Sequence, residues 1–222
     1  MSEEGVQKPV AEKKKTEPGR GIAVKVFYPI IYAVLWLFLR FYHWPTFKGR
    51  KNLPKGPCII CGNHSGLADP LWFLLLLRER FPPWTMAKNT LFEKKPWISR
   101  FLMAFRAFPV NRGANDIGAI KKSLTVLKKG EKLLIFPEGT RVKPGMTVEP
   151  KSGAVLLAER AGVPIVPVYI TPNRKPFRPI RVLLGEPWTP EFSSRRPDND
   201  ELTAVTAVLM EKIYGLPEHF KR

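Results

Sequence analysis

The chain has 222 residues, with 37 Lys and Arg against 19 Asp and Glu, a formal net charge of +18 and two cysteines. That length allows one domain with a substantial core plus an appendage, and excludes two full catalytic domains. The cysteine count excludes a disulfide framework, and the charge narrows the partners to nucleic acid, anionic lipid surfaces or acidic small substrates.

Residues 1–21 are rich in Lys, Glu, Pro and Gly and poor in large apolar side chains, so they read as a disordered polar tail. Met1–Gly21 carries five basic and four acidic residues, so the basic excess belongs to the folded part. An abrupt change follows. Val26–Leu39 contains no charge, and apolar character runs from Ile22 to Trp44. Residues 22–47 are therefore expected to form a hydrophobic membrane-anchor segment. No polar face recurs at helical spacing, which argues against an amphipathic surface helix. The uncharged core would reach only about 21 Å as a helix, short of the ~30 Å hydrocarbon thickness. Basic residues flank both ends, Lys13, Lys14, Lys15 and Arg20 before and Lys48, Arg50 and Lys51 after, so neither orientation of a span is favoured. The expectation is a peripheral or monotopic anchor on the cytoplasmic face of the cell membrane, with Pro29 kinking the helix or sitting near its start.

Residues 48–222 are expected to form one further domain. Short β-type runs fall at Cys58–Asn63, Trp84–Lys88, Ala107–Arg112, Lys132–Phe136, Ile165–Ile170 and Arg181–Leu184. Helix-type runs lie between and after them, at Pro70–Arg80, Pro96–Phe105, Asn115–Lys129, Ser152–Ala161 and Asn199–Tyr214. Asn115 is the expected N-cap of its helix and Gly130 its stop. Strands alternating with helices predict an α/β fold, a mixed, mostly parallel sheet flanked by helices. The pair Cys58 and Cys61 sits in a run that reads as a buried strand, so both are expected to be core residues rather than a redox or zinc pair. No metal and no cofactor is implied.

Four short segments fall where strand ends are expected, the positions at which α/β folds place ligands. The first is Asn63-His64-Ser65-Gly66-Leu67-Ala68-Asp69-Pro70. On a regular helix His64 and Asp69 would point about 140° apart. A turn at Gly66 brings the carboxylate behind the imidazole, the arrangement that fixes a tautomer for proton abstraction. The second is Phe136-Pro137-Glu138-Gly139-Thr140-Arg141, whose carboxylate and guanidinium suit a hydroxylated phosphate ester. Arg112, in Phe108-Pro109-Val110-Asn111-Arg112-Gly113, offers a second phosphate-binding cation. The fourth, Val163-Pro164-Ile165-Val166-Pro167-Val168, has no ionisable group and reads as an edge or entry strand that shapes the core.

Taken in this order, the four segments resemble the signature of the glycerolipid acyltransferases, an H-x-x-x-x-D motif followed by an arginine motif, F-P-E-G-T-R and a V-P-I-V-P-like block. The resemblance covers roughly residues 48–185. It implies His64 as catalytic base with Asp69 as its partner. It further implies an acceptor site at Arg112, Glu138, Gly139, Thr140 and Arg141, with Lys151 and Gly153 matching the basic residue and glycine that commonly follow. Arg106 stands where many members have glycine, which implies a locally different acceptor pocket.

The implied reaction moves a fatty acyl group from acyl-ACP or acyl-CoA to the sn-2 hydroxyl of lysophosphatidic acid, giving phosphatidic acid. Glycerol-3-phosphate or a lyso-aminolipid is the alternative acceptor. Leu71–Leu77 suits an acyl tunnel and a core helix equally. The basic excess then serves an anionic membrane surface, a phosphate-bearing acceptor and an acidic carrier protein. Nucleic acid is not an expected partner, because the basic residues are scattered and a non-enzymatic basic module leaves the His–Asp pair without a role.

Overall fold

The apolar runs bounded by Gly and Pro become strands, and the longer stretches between them become helices. The structure, a computed structural model, describes residues 22–77, 82–93, 95–111, 116–172, 174–194 and 196–220. The expected polar tail, Arg112 and the expected cap Asn115 all lie outside the described residues.

The strands are β1 (Thr46–Lys48), β2 (Ile59–Gly62), β3 (Trp84–Lys88), β4 (Ala107–Val110), β5 (Leu133–Ile135), β6 (Ile165–Ile170) and β7 (Arg181–Leu184). The helices are α1 (Ile22–His43), α2 (Asp69–Leu77), α3 (Thr90–Glu93), α4 (Pro96–Ala104), α5 (Ile117–Lys128), α6 (Gly153–Ala161) and α7 (Asn199–His219). One seven-stranded sheet has the order β1-β7-β6-β2-β5-β3-β4. All its neighbouring pairs are parallel except β6 with β7, so the sheet is mixed and mostly parallel, as expected. The short strand β1 and the single turn α3 carry too little pattern to read from sequence.

Alternation along the central strands builds two cores. Ile59, Cys61, Leu133 and Ile135 meet residues of α5, α6 and α7, whereas Cys58, Ile60, Leu134 and Val168 meet those of α1 and α2. Neither cysteine forms a disulfide; both are buried, Cys58 just before β2 and Cys61 within it, and they meet the two different cores. Burial pushes the Cys61 thiol pKa up, which removes it from thiolate chemistry. Every residue of α2 from Trp72 to Leu77 is buried, so that run packs as core. Its last carbonyls, of Leu75 and Leu76, accept from Arg50, an arginine that the sequence grouped with the basic membrane flank. Asp116 caps α5 by accepting from Ala119 N–H at 2.9 Å, and Gly130 follows that helix with φ +78°.

Two expectations change. Of the two readings of the Val163–Val168 block the edge falls, because β6 lies between β7 and β2, and the block forms the entry to β6 instead. Pro167 is tolerated there because β7 ends at Leu184, and its missing N–H falls between that ladder and the separate Ile165–Trp188 bridge. Arg106 adopts φ +59°, the left-handed region that favours glycine. It bonds Glu131 at 2.8 Å and lies over the Trp84 ring at the start of β4, the edge opposite the strand ends, so it shapes no acceptor pocket. The helix α1 also packs on the domain. Tyr32, Trp36, Leu39 and His43 form an inward stripe on the α2 core, with His43 Nδ1 3.2 Å from the Arg178 carbonyl. Ile30, Val34, Leu37, Phe38 and Phe41 form an exposed apolar stripe on the other side. The helix lacks a polar face because both faces are apolar, one packed and one open. Among the described residues, no helix is long and apolar enough to cross a membrane.

Gly62 ends β2 where the Phe73 ring crosses it, and any Cβ there would collide with that ring. Phe73 is held in turn by an edge contact with Phe136, 5.5 Å between centroids. Gly62→Ala is expected to lower unfolding free energy by about 1–3 kcal/mol through overpacking. Denaturant titration should also show that Gly62→Ala and Phe73→Leu together cost less than the sum of the two alone.

Candidate active site

Strands β6, β2 and β5 are adjacent and parallel, so their C-terminal ends share one edge of the sheet. Asn63 prolongs β2 with its side chain. Its Nδ2 donates to the Ile170 carbonyl at 2.9 Å and its Oδ1 accepts from the Ile170 N–H at 2.8 Å. This two-way clamp is buried and fixes where the chain leaves the sheet toward His64.

Residues 65–68 form the turn, and α2 begins at Asp69. The turn brings the carboxylate behind the imidazole, with Asp69 Oδ2 2.8 Å from His64 Nδ1. The same oxygen accepts from the backbone N–H groups of Ser65 at 2.7 Å and Gly66 at 2.8 Å. Asp69 Oδ1 pairs with the Arg174 guanidinium, which also donates to the Thr171 carbonyl at 3.0 Å. Gly66 permits this pairing, because a Cβ at that position would run into Arg174.

Asp69 has no exposed side-chain surface. Burial alone would raise its pKa, yet the His64 hydrogen bond, the Arg174 charge and the Gly66 N–H outweigh it and hold the carboxyl below its ordinary value. An ionised Asp69 accepts from Nδ1–H, which leaves the lone pair of His64 on Nε2. The imidazole stacks on Phe136 at 4.2 Å between centroids, and that contact sets the ring plane. The Ser65 hydroxyl is buried without a hydrogen-bond partner among the described residues and is not bonded to His64, so nothing activates it as a nucleophile.

The loop after β5 is tied to the same segment. Glu138 Oε2 accepts from the His64 N–H at 2.8 Å, and Glu138 Oε1 accepts from the Tyr214 hydroxyl of α7 at 2.6 Å. Val142 N–H donates to the His64 carbonyl at 2.8 Å. Glu138 is buried, and its pKa is pushed up by that burial, with the two hydrogen bonds offsetting part of the effect. Both of its oxygens are engaged by protein groups, so in this structure Glu138 braces the His64 backbone. Gly139 turns the loop at φ +64°, with the Lys151 stem beside it and the Lys151 N–H bonded to the Pro137 carbonyl at 2.7 Å. Thr140 is half-buried, and Arg141 and Lys151 are exposed, so two cations stand beside the His64 segment for an anionic ligand. Among the described residues no cluster of His, Cys, Asp or Glu could hold a metal ion.

Sequence reasoning missed Arg174 and Tyr214. Each reaches the site from more than 70 residues away, and neither belongs to a motif. Only the pairing of β2 with β6, and α7 lying against the sheet, bring them in.

A carboxylate-backed imidazole whose second nitrogen carries the lone pair, beside exposed cations at a strand edge, suits group transfer from a thioester to a hydroxyl. The chain belongs to the acyltransferase family, whose model, described as Acyltransferase, matches residues 45–171. It is an enzyme of that type, which sets aside a non-enzymatic basic module. It is 34% identical over 177 residues to a protein named 1-acyl-sn-glycerol-3-phosphate acyltransferase from Bacillus subtilis, covering 75% of this chain and 85% of that one. It is 31% identical over 146 residues to the chloroplastic protein of that name, BAT2, from Brassica napus, covering 62% of this chain and 41% of that one. The crystal structure of the LPA acyltransferase PlsC from Thermotoga maritima superposes with a TM-score of 0.62 at 26% identity, covering 90% of this chain and 79% of that one.

Arg174 yields a pH-dependent prediction. The Asp69 pKa is depressed, so its contribution to stability is present above the ordinary carboxylate value and is lost as pH falls through the folded value. In Arg174→Ala burial is opposed by fewer groups, and the folded value rises. The acid-side loss of both turnover and stability should then begin at higher pH, while Arg174→Lys retains more of the parent profile. Parallel pH profiles of kcat/KM and of the melting midpoint measure this.

Proposed function

We propose that this enzyme transfers a fatty acyl group from acyl-ACP or acyl-CoA to the sn-2 hydroxyl of lysophosphatidic acid, giving phosphatidic acid at a membrane surface. The observation that carries the reading is the 2.8 Å contact between His64 Nδ1 and Asp69, beside a loop that presents Arg141 and Lys151. The relatives named 1-acyl-sn-glycerol-3-phosphate acyltransferase, and the PlsC structure, support that acceptor class.

The acceptor hydroxyl gives its proton to His64 Nε2 as its oxygen attacks the thioester carbonyl carbon. Asp69 stabilises the imidazolium that forms. The tetrahedral intermediate collapses with loss of the C–S bond, and the thiolate recovers the proton from Nε2. No protein nucleophile is needed. Arg141 and Lys151 would hold the acceptor phosphate, which turns a bimolecular encounter into a near-intramolecular one. Glu138 supports this step through the His64 backbone, as its bonds to His64 N–H and Tyr214 suggest.

Membrane docking through α1 belongs to the same reading. The exposed stripe Ile30–Phe41 lies on the outside of a helix whose inner face is anchored on the domain. An interfacial helix of this kind holds the site against the leaflet that supplies its single-chain acceptor.

In mixed micelles with a panel of acceptors, lysophosphatidic acid should turn over faster than glycerol-3-phosphate or a lyso-aminolipid. His64→Ala is expected to lower kcat about 10²–10⁴-fold with an unchanged fold. Arg141→Ala should raise the KM for the acceptor and leave that for the donor, a loss of about 1.5–3 kcal/mol. An effect confined to the donor would reassign Arg141 to the carrier or coenzyme. For docking, Leu37→Ser with Phe41→Ser should weaken binding to anionic vesicles and leave turnover of a water-soluble short-chain acceptor intact. Removing α1 outright is a poorer test, since it uncovers Trp72 and its neighbours.

A further inference from the structure

The crossover between β3 and β4 presents a helix with no buried residue. α4 spans nine residues, and it or its C-cap carries Trp97, Ile98, Phe101, Leu102, Met103 and Phe105. Trp97 is 65% exposed and Phe101 50%. Four residues apart, they lie on one helical face. Leu91 of α3 is exposed as well. A soluble surface helix would turn its large apolar side chains inward and cover the rest with charge. Here the aromatic face is open.

Its surroundings are cationic. Lys88, Lys95 and Arg100 are exposed, and the sequence from Lys88 to Phe105 holds one acidic residue, Glu93, which accepts from Asn89 at 2.6 Å. Trp and Phe on one side with Lys and Arg around them form the composition of a helix lying in a lipid interface.

Topology sets the direction this face points. β2, β3 and β4 are parallel and succeed one another across the sheet in one sense, with β5 between β2 and β3. Crossovers of one hand therefore put α2 and α3–α4 in the same layer. Trp84, Met86, Phe108 and Val110 point into the opposite core with α5. α1 packs on α2 and so belongs to that layer too. The open stripe of α1 and the open face of α4 are on one side of the molecule, and α3–α4 begins directly after the C-terminal end of β3, the edge that carries His64.

We propose that α4 is a second lipid contact, with Trp97 and Phe101 entering the interface of an anionic bilayer and Lys95 and Arg100 meeting its headgroups. This rests on the membrane reading of α1 given above and extends it. Two separated contacts fix the tilt of the domain, which one helix alone leaves free, and the tilt turns the strand edge with His64 toward the leaflet.

The test uses the full chain and vesicles of phosphatidylcholine with and without phosphatidylglycerol. Trp97→Ser with Phe101→Ser should weaken binding to the mixed vesicles by about tenfold or more. Lys95→Glu with Arg100→Glu should weaken binding to the mixed vesicles and leave binding to pure phosphatidylcholine unchanged, at about fivefold per residue. Both variants should keep the parent melting midpoint and parent turnover of a water-soluble short-chain acceptor. Parent-like vesicle binding by the Trp97/Phe101 variant, while the Leu37/Phe41 variant is impaired, overturns α4 alone. A parent chain that ignores both kinds of vesicle overturns the membrane reading itself. A variant that changes only the sedimentation coefficient makes this face a contact between copies of the chain. One that raises only the KM for acyl-ACP makes it a carrier-protein contact, and either result overturns the proposal.

Discussion

Asp69 is a carboxylate without exposed surface at the first position of a helix, and it accepts from four groups at once. Burying such a charge without partners costs several kcal/mol. The imidazole of His64, the N–H groups of Ser65 and Gly66, and the Arg174 guanidinium supply the compensation. Each partner loses a degree of freedom in doing so. The turn must close tightly for its two N–H groups to converge, Gly66 must lack a side chain so that Arg174 can approach, and the loop after β6 must lie over the start of α2. The orientation of His64 is a by-product of satisfying Asp69. Electrostatics at one oxygen pair sets the geometry of the whole edge.

This dependence explains what was legible in the sequence. The His64–Asp69 pairing is local, and five residues with a glycine among them admit few conformations. The contribution of Arg174 is not local. It stands in a loop of Asn, Arg, Lys and Pro that reads as an ordinary connection, and only the β2–β6 register brings it over Gly66. Tyr214 is hidden for the same reason, being one residue of a long helix whose pattern speaks only of its buried side. The alternation of apolar runs made the sheet legible, but not its order. The two prolines of the Val163–Val168 block suggested an edge, since a missing N–H is easiest to place there. The structure places Pro167 instead at a gap in the ladder inside the sheet.

α1 shows a limit of periodicity as a signal. A helix with one apolar face shows a 3.6-residue period, and a helix apolar all round shows none. Absence of a polar face argues against an amphipathic surface helix and says nothing of what either side meets. The helix is in fact apolar for two reasons, a stripe that packs on α2 and a stripe that does not. Arg50 carries a related lesson. Counted as charge it belongs to a membrane flank, yet in the fold it donates to the Leu75 and Leu76 carbonyls of α2, where a cation meets the negative end of the helix dipole.

Glu138 and Asp69 lie on either side of one backbone segment, and their environments push them in opposite directions. Asp69 is held below its ordinary pKa because its oxygens meet a guanidinium, an imidazole and backbone N–H groups. Glu138 is raised because burial outweighs the Tyr214 hydroxyl, the His64 N–H and the His64 ring that oppose it, and the Asp69 charge adds repulsion. An acid with raised proton affinity in an active site invites a role as proton carrier. Its geometry argues otherwise. Both oxygens are occupied, by Tyr214 from α7 and by the N–H of His64 itself. The Glu138 bond and the Val142 bond meet the N–H and the carbonyl of the same residue, so His64 is clamped through its backbone by the loop after β5 and through its ring by Asp69. A base clamped at both ends loses little freedom when the acceptor arrives. What the F-P-E-G-T-R motif supplies is therefore divided: Glu138 faces inward to hold the base, and Arg141, three residues on, faces solvent where an anionic acceptor can reach it.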